Sequence, residues 1–592
     1  MFQTDGKASM ITQVTLRNFK SVGEQTYDFT LFDLLVGRNN CGKSTVLQGL
    51  AIWQFCVDEF HRSKRSGSKG IQVVLPNFTA LPVPEFNLLW KDRTDRQWPL
   101  INGKKKQVYI LIEIRVEWRR ASGDTGSFGV ELRYHSPQTI YAIPGGGWAA
   151  FRECEQQGDL PKIAYVPPFS GLETAEKWLD VSPIRQQVGK GQPGSVLRNL
   201  LLQVCPAPPR DRDGRIADGY VHPPTDWQAL AAVIERWFSV RIREPKYNSE
   251  KDVYITVEYQ QGGKNYDIIA GGSGFHQTLT LLAFLFGYHP TTILLDEPDA
   301  HLHVNLQREI LQYFKRNALE RNTQFLIATH AEELARGVDA SQIVSLLAQV
   351  PKRIQSTPEV LRAMSEVSNE EVTRLMASPN IVYVEGESDE RILRAWSGSG
   401  GAQETMDKVY FKAMGGGGKK NMKERADQHY SALQQIIPEV ARLMLFDFDD
   451  ADNAFHPEPE NPTLAEWRRK NIENYLLVPE AWKRAALREL QSTEDDLFVR
   501  PVFKIIDEFF SSENLTLPPG KTWRNVTANV FSVVDGKRIL FENDESLFQS
   551  LRTASISVEL IRERVAMNMT ADEIHEDVHR FIEKVKALVG EE

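Results

Sequence analysis

The nonapeptide Gly37-Arg38-Asn39-Asn40-Cys41-Gly42-Lys43-Ser44-Thr45 constrains this chain more than any other feature. A strand-like run ending in Leu34-Leu35-Val36 precedes it, and the helical run Val46-Leu47-Gln48-Gly49-Leu50-Ala51-Ile52 follows it. Two glycines separated by four residues, then a lysine and a hydroxyl, form a loop whose amides surround phosphate groups at a helix N-terminus. Gly37 and Gly42 allow close approach of the backbone, and Asn40 and Thr45 complete the cradle. Lys43 reaches the terminal phosphates, and the Ser44 hydroxyl is suited to magnesium. Strand, loop and helix in this order predict an α/β fold.

The complement of that loop lies far downstream. Thr292-Ile293-Leu294-Leu295 reads as a buried parallel strand that ends in Asp296-Glu297-Pro298. Asp296 is expected to hold magnesium, and Glu297 to activate the attacking water. Phe325-Leu326-Ile327-Ala328 is a further buried strand, delivering Thr329 and His330 to the same edge, where His330 is expected to sense the γ-phosphate.

These segments resemble the ABC-type ATPase head, in the branch shared with chromosome-maintenance and recombination-repair ATPases. The resemblance implies ATP as cofactor and a signature segment ahead of the acidic strand. Gly272-Ser273-Gly274-Phe275-His276-Gln277 fills that place, with Ser273 and Gly274 aimed at ATP held by another head. Asp299-Ala300-His301-Leu302-His303 matches the loop that crosses such an interface, so a homodimer or higher homo-oligomer is implied. Gln48 and Gln54 lie too near the phosphate loop to serve as the magnesium-sensing glutamine of such heads, and no other residue is assigned that role.

At 592 residues the chain exceeds one hydrophobic core, and roughly two to four domains are expected. Between the halves of the ATPase, Val108 to Trp118, Ser127 to Tyr134 and Thr139 to Ile143 read as antiparallel strands. Glu173 to Val204 and Trp227 to Phe238 read as helical, either a dimer contact or a bundle packed on its own head. Val253 to Tyr259 and Tyr266 to Ile269 read as paired strands. Heptads of useful length are not found, which argues against a long-armed cohesin-like protein.

Four cysteines without paired spacing argue against a disulfide framework or a thiolate zinc site. The net charge of −9 argues against a simple nucleic-acid coat, although basic runs occur at 61–65 and 104–106. No secretory leader is read, and the apolar stretch from Leu279 to Tyr288 is too short for a bilayer, so a cytoplasmic location without membrane contact is expected.

A second chemistry follows. Ile381-Val382-Tyr383-Val384 is a compact strand ending in Glu385-Gly386, and Asp389 lies in the first turn of the next helix. Val409 to Ala413 leads into Gly415-Gly416-Gly417-Gly418-Lys419, where Lys419 or Lys420 is a candidate phosphate contact. Leu443-Met444-Leu445-Phe446 is followed by Asp447, Asp449, Asp450 and Asp452. On an extended segment Asp447 and Asp449 share a face. Carboxylates so crowded require neutralisation, and hard oxygen ligands suit magnesium or manganese.

This pattern resembles the Toprim fold, and an ABC-type head followed by Toprim resembles the OLD family of ATP-powered endonucleases (overcoming lysogenization defect). The resemblance implies that Glu473, within Asn471-Ile472-Glu473-Asn474-Tyr475, supports a second metal, and that Lys537, after Gly536, steadies the transition state. Glu385, Asp389, Asp447 and Asp449 would hold the cations. The expected organisation is 1–168 ATPase N-terminal half, 169–245 helical insertion, 246–357 ATPase C-terminal half, 358–379 linker and 380–592 Toprim domain with C-terminal helices. The expected activity is ATP-regulated, metal-dependent hydrolysis of DNA in anti-phage defence. The resemblance also admits an operon partner, either a reverse transcriptase with an RNA–DNA hybrid or a helicase-like protein. The alternative is an ATP-driven nucleic-acid sensor or scaffold that does not cut.

Overall fold

The computed structural model describes residues 9–63, 70–101, 104–158, 160–205, 226–348, 350–354, 357–448, 452–458, 460–494, 496–497, 499–554 and 558–591. Asp449, Asp450 and part of the basic run at 61–65 fall outside these residues. The chain divides into two compact units, Met1–Met364 and Ser365–Glu592.

The first unit is built on two sheets. Strands β1 (Met10–Phe19), β2 (Val22–Asp28), β4 (Ile71–Val74), β5 (Ile112–Arg119), β6 (Thr125–Ser136) and β7 (Thr139–Pro144) form an antiparallel sheet in the order β2–β1–β5–β6–β7–β4. Alternate residues of β5 are buried, as a sheet with one covered face requires. The second sheet combines β3 (Phe32–Val36), β8 (Ile163–Val166), β9 (Thr292–Asp296), β10 (Gln324–Thr329), β11 (Ile343–Ser345) and the short edge strand β12 (Lys352–Arg353). Its order is β8–β9–β10–β3–β11–β12, and only β12 runs antiparallel. Its central strands are buried throughout, which is why they read as uninterrupted apolar runs.

Helix α1 (Lys43–Arg62) contacts both sheets. Trp53 is fully buried and meets Trp118 and Phe128 edge-on, joining the helix to the antiparallel face. The parallel arrangement directs the C-terminal ends of β3, β8, β9 and β10 to one edge of the sheet, where ligands bind in such folds.

Two expectations change in the middle of this unit. The run expected to be helical from Glu173 is irregular as far as Asp180; helices occupy Val181–Gly189 and Leu197–Val204, with a 3-10 turn at Pro193–Val196 between them. A side chain at Gly194 would fall 1.6 Å from the Gly171 carbonyl, so the chain crosses itself too closely for one continuous helix. The strand expected from Val253 is confined to Glu258–Gln261, pairing with Lys264–Asp267 across Gly262-Gly263, both at positive φ.

The second unit centres on an all-parallel sheet. Strands β13 (Asn380–Val384), β14 (Tyr410–Ala413), β15 (Ala441–Phe446) and β16 (Leu464–Glu466) lie in the order β14–β13–β15–β16. Helices α3 (Glu387–Ser399) and α4 (Lys419–Gln434) follow β13 and β14. Trp396, Tyr475 and Trp482 are buried in a core shared with the C-terminal helices. The 358–379 segment, read from the sequence as helical and polar, carries two helices, Thr357–Ser365 and Asn369–Ala377. Its helix Asn369–Ala377 starts at a Ser368/Glu371 capping box, and the fully buried Glu371 accepts from Lys412 Nζ at 2.7 Å.

Candidate nucleotide site and acidic strand tips

The phosphate loop leaves β3 and enters α1 as expected. Gly42 has φ +97°, a conformation that side-chain-bearing residues rarely adopt. Gly37 is needed for space, because a Cβ there would lie 2.5 Å from Cys41 Sγ. Asn40 also takes positive φ, and Thr45 lies in the first turn of α1 with its amide bonded to the Gly42 carbonyl. Lys43 is buried and folds back to donate to the carbonyls of Gly37 and Arg38, each at 2.8 Å.

The acidic strand meets this loop directly. Ser44 Oγ donates to Asp296 Oδ1 at 2.9 Å, and Tyr165 Oη donates to Asp296 Oδ2 at 2.9 Å. A hydroxyl facing a carboxylate at the mouth of a phosphate loop is a hard-oxygen donor set that fits magnesium. Burial is the main reason the Asp296 carboxyl lies above its usual range, so a cation is the natural counter-charge there.

Glu297 sits at φ +51°, with its amide bonded to the Ala328 carbonyl, and its side chain is partly exposed. His330 Nδ1 is 3.4 Å from Glu297 Oε1, so both residues expected to act on the γ-phosphate stand together. Asp299 is buried and accepts from Thr329 Oγ1 at 2.6 Å, tying the loop after β9 to the tip of β10.

The signature segment starts helix α2 (Ser273–Tyr288). Ser273 is exposed, and a Cβ on Gly274 would lie 2.9 Å from the His301 carbonyl. Gly274 therefore serves close packing of the signature helix against the loop after β9 in its own head.

In the second unit, Tyr383 of β13 pairs with Met444 of β15, so Glu385 and Asp447 leave neighbouring strands at the same sheet edge. Asp447 Oδ1 accepts from the Ile472 amide at 3.1 Å. Asp389 caps α3, accepting from the Gly386 amide at 3.2 Å and the Ser388 hydroxyl at 3.1 Å. Burial, then the charges of Glu473 and Glu385, push its carboxyl up to about 6. That coupling brings Glu385, Asp389 and Glu473 into one electrostatic neighbourhood.

The segments carrying Glu473 and Lys537 are joined by Asn474. Its Oδ1 accepts from the Gly536 amide at 3.1 Å, and a Cβ at Gly536 would lie 2.6 Å from that oxygen. Burial opposes the charge on Lys537, but Glu542, Glu473 and Glu385 raise its pKa overall.

Three placements bear on the expectations for this unit. Among the described residues, no three His, Cys, Asp or Glu side chains are gathered closely enough to hold a metal ion, so the expected cage is not preformed there. Glu473 is not an open ligand: it is buried and accepts from Arg562 Nε at 2.7 Å. Lys419 is not poised for phosphate either. It is buried, donating to Glu466 Oε1 at 2.7 Å and to the Phe448 carbonyl at 2.9 Å, because a charge at that depth needs a partner.

Tyr165 and Arg562 escaped the sequence reading, and Asp299 reads only as part of the loop that crosses a head-to-head interface. Tyr165 lies inside the apolar strand that Val166 closes ahead of Pro167-Pro168. Arg562 lies 89 residues from its partner in a region without a motif.

Residues 226–336 match a family model described as "AAA domain, putative AbiEii toxin, Type IV TA system". No curated protein matches the chain. Among solved structures, it is similar to an SMC head domain from Thermotoga maritima at 13% identity, covering 57% of this chain and 94% of that one, with a TM-score of 0.29. A Pyrococcus furiosus Smc head with an extended coiled coil, bound to the C-terminal domain of ScpA, matches at 13% identity over 57% and 93% of the two chains, with a TM-score of 0.31. No helix among the described residues is long and apolar enough to cross a membrane. With its phosphate loop, its acidic strand and the family match over the second half of the site, the first unit is an α/β ATP-binding head of ATPase type.

Proposed function

We propose that this chain is an ATP-driven sensor or scaffold for nucleic acid in a multi-protein defence or repair complex. The apposition of Ser44 and Asp296, at 2.9 Å across the fold, carries the ATP-binding part of that reading. Lys43 and the loop amides would hold the triphosphate. Magnesium, between Ser44 and Asp296, would neutralise charge on the phosphate oxygens. Glu297 would orient and deprotonate water, with His330 beside it. The similarity of residues 226–336 to a family described by a toxin–antitoxin system favours a defence setting. The heads would pair as a homodimer or larger homo-oligomer, with Ser273 and Gly274 facing the nucleotide of the other copy. A reverse transcriptase with an RNA–DNA hybrid, or a helicase-like protein, remains the proposed kind of operon partner.

A second reading is metal-dependent hydrolysis of DNA by the second unit, the activity implied by the OLD-family resemblance. It is favoured by the raised Asp389 carboxyl, shifted first by burial and then by the charges of Glu473 and Glu385. Glu385, Asp389 and Asp447, with Asp449 from outside the described residues, would hold magnesium or manganese, and Lys537 would neutralise developing charge. Supercoiled plasmid is incubated with the full chain, Mg2+ or Mn2+, with and without ATP. No nicking, alongside intact ATP hydrolysis, supports the sensor reading. Nicking that Glu385→Ala removes while ATP hydrolysis persists overturns it in favour of the nuclease.

A further inference from the structure

Outside the phosphate loop one side chain, Tyr165, touches Asp296, and two more, Gln48 and Lys20, stand behind it. Lys20, in the turn after β1, donates from Nζ to Gln48 Oε1. An ammonium group only donates, so the Gln48 carbonyl must face it and the Gln48 amide nitrogen must face the other way. The Gln48 amide faces the Tyr165 phenol, and that phenol gives its own proton to Asp296 Oδ2 at 2.9 Å. The remaining carboxylate oxygen receives the Ser44 hydroxyl. Gln48 lies one helical turn beyond Ser44 on α1, and Tyr165 pairs with Leu294 on the strand that ends in Asp296.

We propose that Tyr165, oriented by Gln48 and Lys20, is the positioning residue that aims Asp296 at the magnesium ion of a bound nucleotide. The head thus senses its metal through the phosphate-loop helix itself. This inference rests on the ATP-binding reading of the first unit and deepens it.

The test uses the full chain, a non-hydrolysable ATP analogue and Mn2+ followed by electron paramagnetic resonance, counting only the Mn2+ that binds when the analogue is present. Tyr165→Phe keeps the ring and removes the donor; Gln48→Leu breaks the chain one link earlier. Loss of one bond to a charged group predicts roughly tenfold weaker Mn2+ binding in each variant. Affinity for the analogue in EDTA should stay within about twofold of wild type. Because both residues act through one chain, the double variant should be no weaker than Tyr165→Phe alone. Unchanged Mn2+ affinity in a folded Tyr165→Phe, or additive losses in the double variant, overturns the proposal and leaves the nucleotide site standing. Absence of analogue-dependent Mn2+ binding in wild type overturns both.

Discussion

The two clusters of functional residues differ in how they handle charge. At the nucleotide site the loop's lysine rests on its own backbone carbonyls and a hydroxyl faces the carboxylate. Those contacts are ones that a triphosphate and its cation can replace. In the second unit two carboxylates are already answered by fixed protein cations, Arg562 on Glu473 and Lys419 on Glu466, while burial and the charges of Glu473 and Glu385 raise the Asp389 carboxyl. The first site is arranged by backbone geometry for a ligand that brings its own charge. The second is held together by internal ion pairs.

The sharpest way to break this comparison is at Lys43. Lys43→Ala should weaken ATP binding by at least about 100-fold in a nucleotide titration, since a buried cation facing phosphate is lost. Wild-type affinity would remove the phosphate loop from the argument. Glu297→Gln should retain ATP but slow hydrolysis by roughly 100- to 1,000-fold in a phosphate-release assay.

The second unit is tested through stability. Burial alone would raise the Glu371 carboxyl, but His429, Lys412 and the Ser368 amide together hold it at about 2. Its folded value lies below its unfolded one. The stabilisation is therefore complete above about pH 4.5 and is lost as pH falls towards about 2. Glu371→Gln should cost roughly 2 kcal/mol in urea unfolding at pH 7, with a gap to wild type that narrows below pH 4.5. A gap that widens on acidification would contradict the assignment. Arg562→Met should cost about 1.5 kcal/mol by stranding buried Glu473, and adding Glu473→Gln should recover part of it. No recovery would show that the guanidinium acts through its packing on Phe541 instead.

Much of the scaffold was legible because buried parallel strands leave long apolar runs, as in β3, β9 and β10. Strand tips were legible too, since the phosphate loop follows β3, Asp296 closes β9, and Glu385 and Asp447 follow β13 and β15. What was not legible depends on distance in sequence or on ambiguous residue types. A lysine after four glycines looks like a phosphate contact until Glu466 is seen beside it. A tyrosine inside a short apolar strand looks like core until its hydroxyl is found on Asp296. The self-crossing at Gly171 and Gly194 leaves no periodic signal, so the helix expected across it is broken.

The contact between Asn474 and Gly536 has a consequence for how this protein can vary. One amide oxygen leaves no room for even a methyl group on the facing turn. Glu473 and Lys537, each next in line to one of these residues, are thus mechanically geared. A substitution that shifts one turn should displace the other, and with it the charge that turn carries.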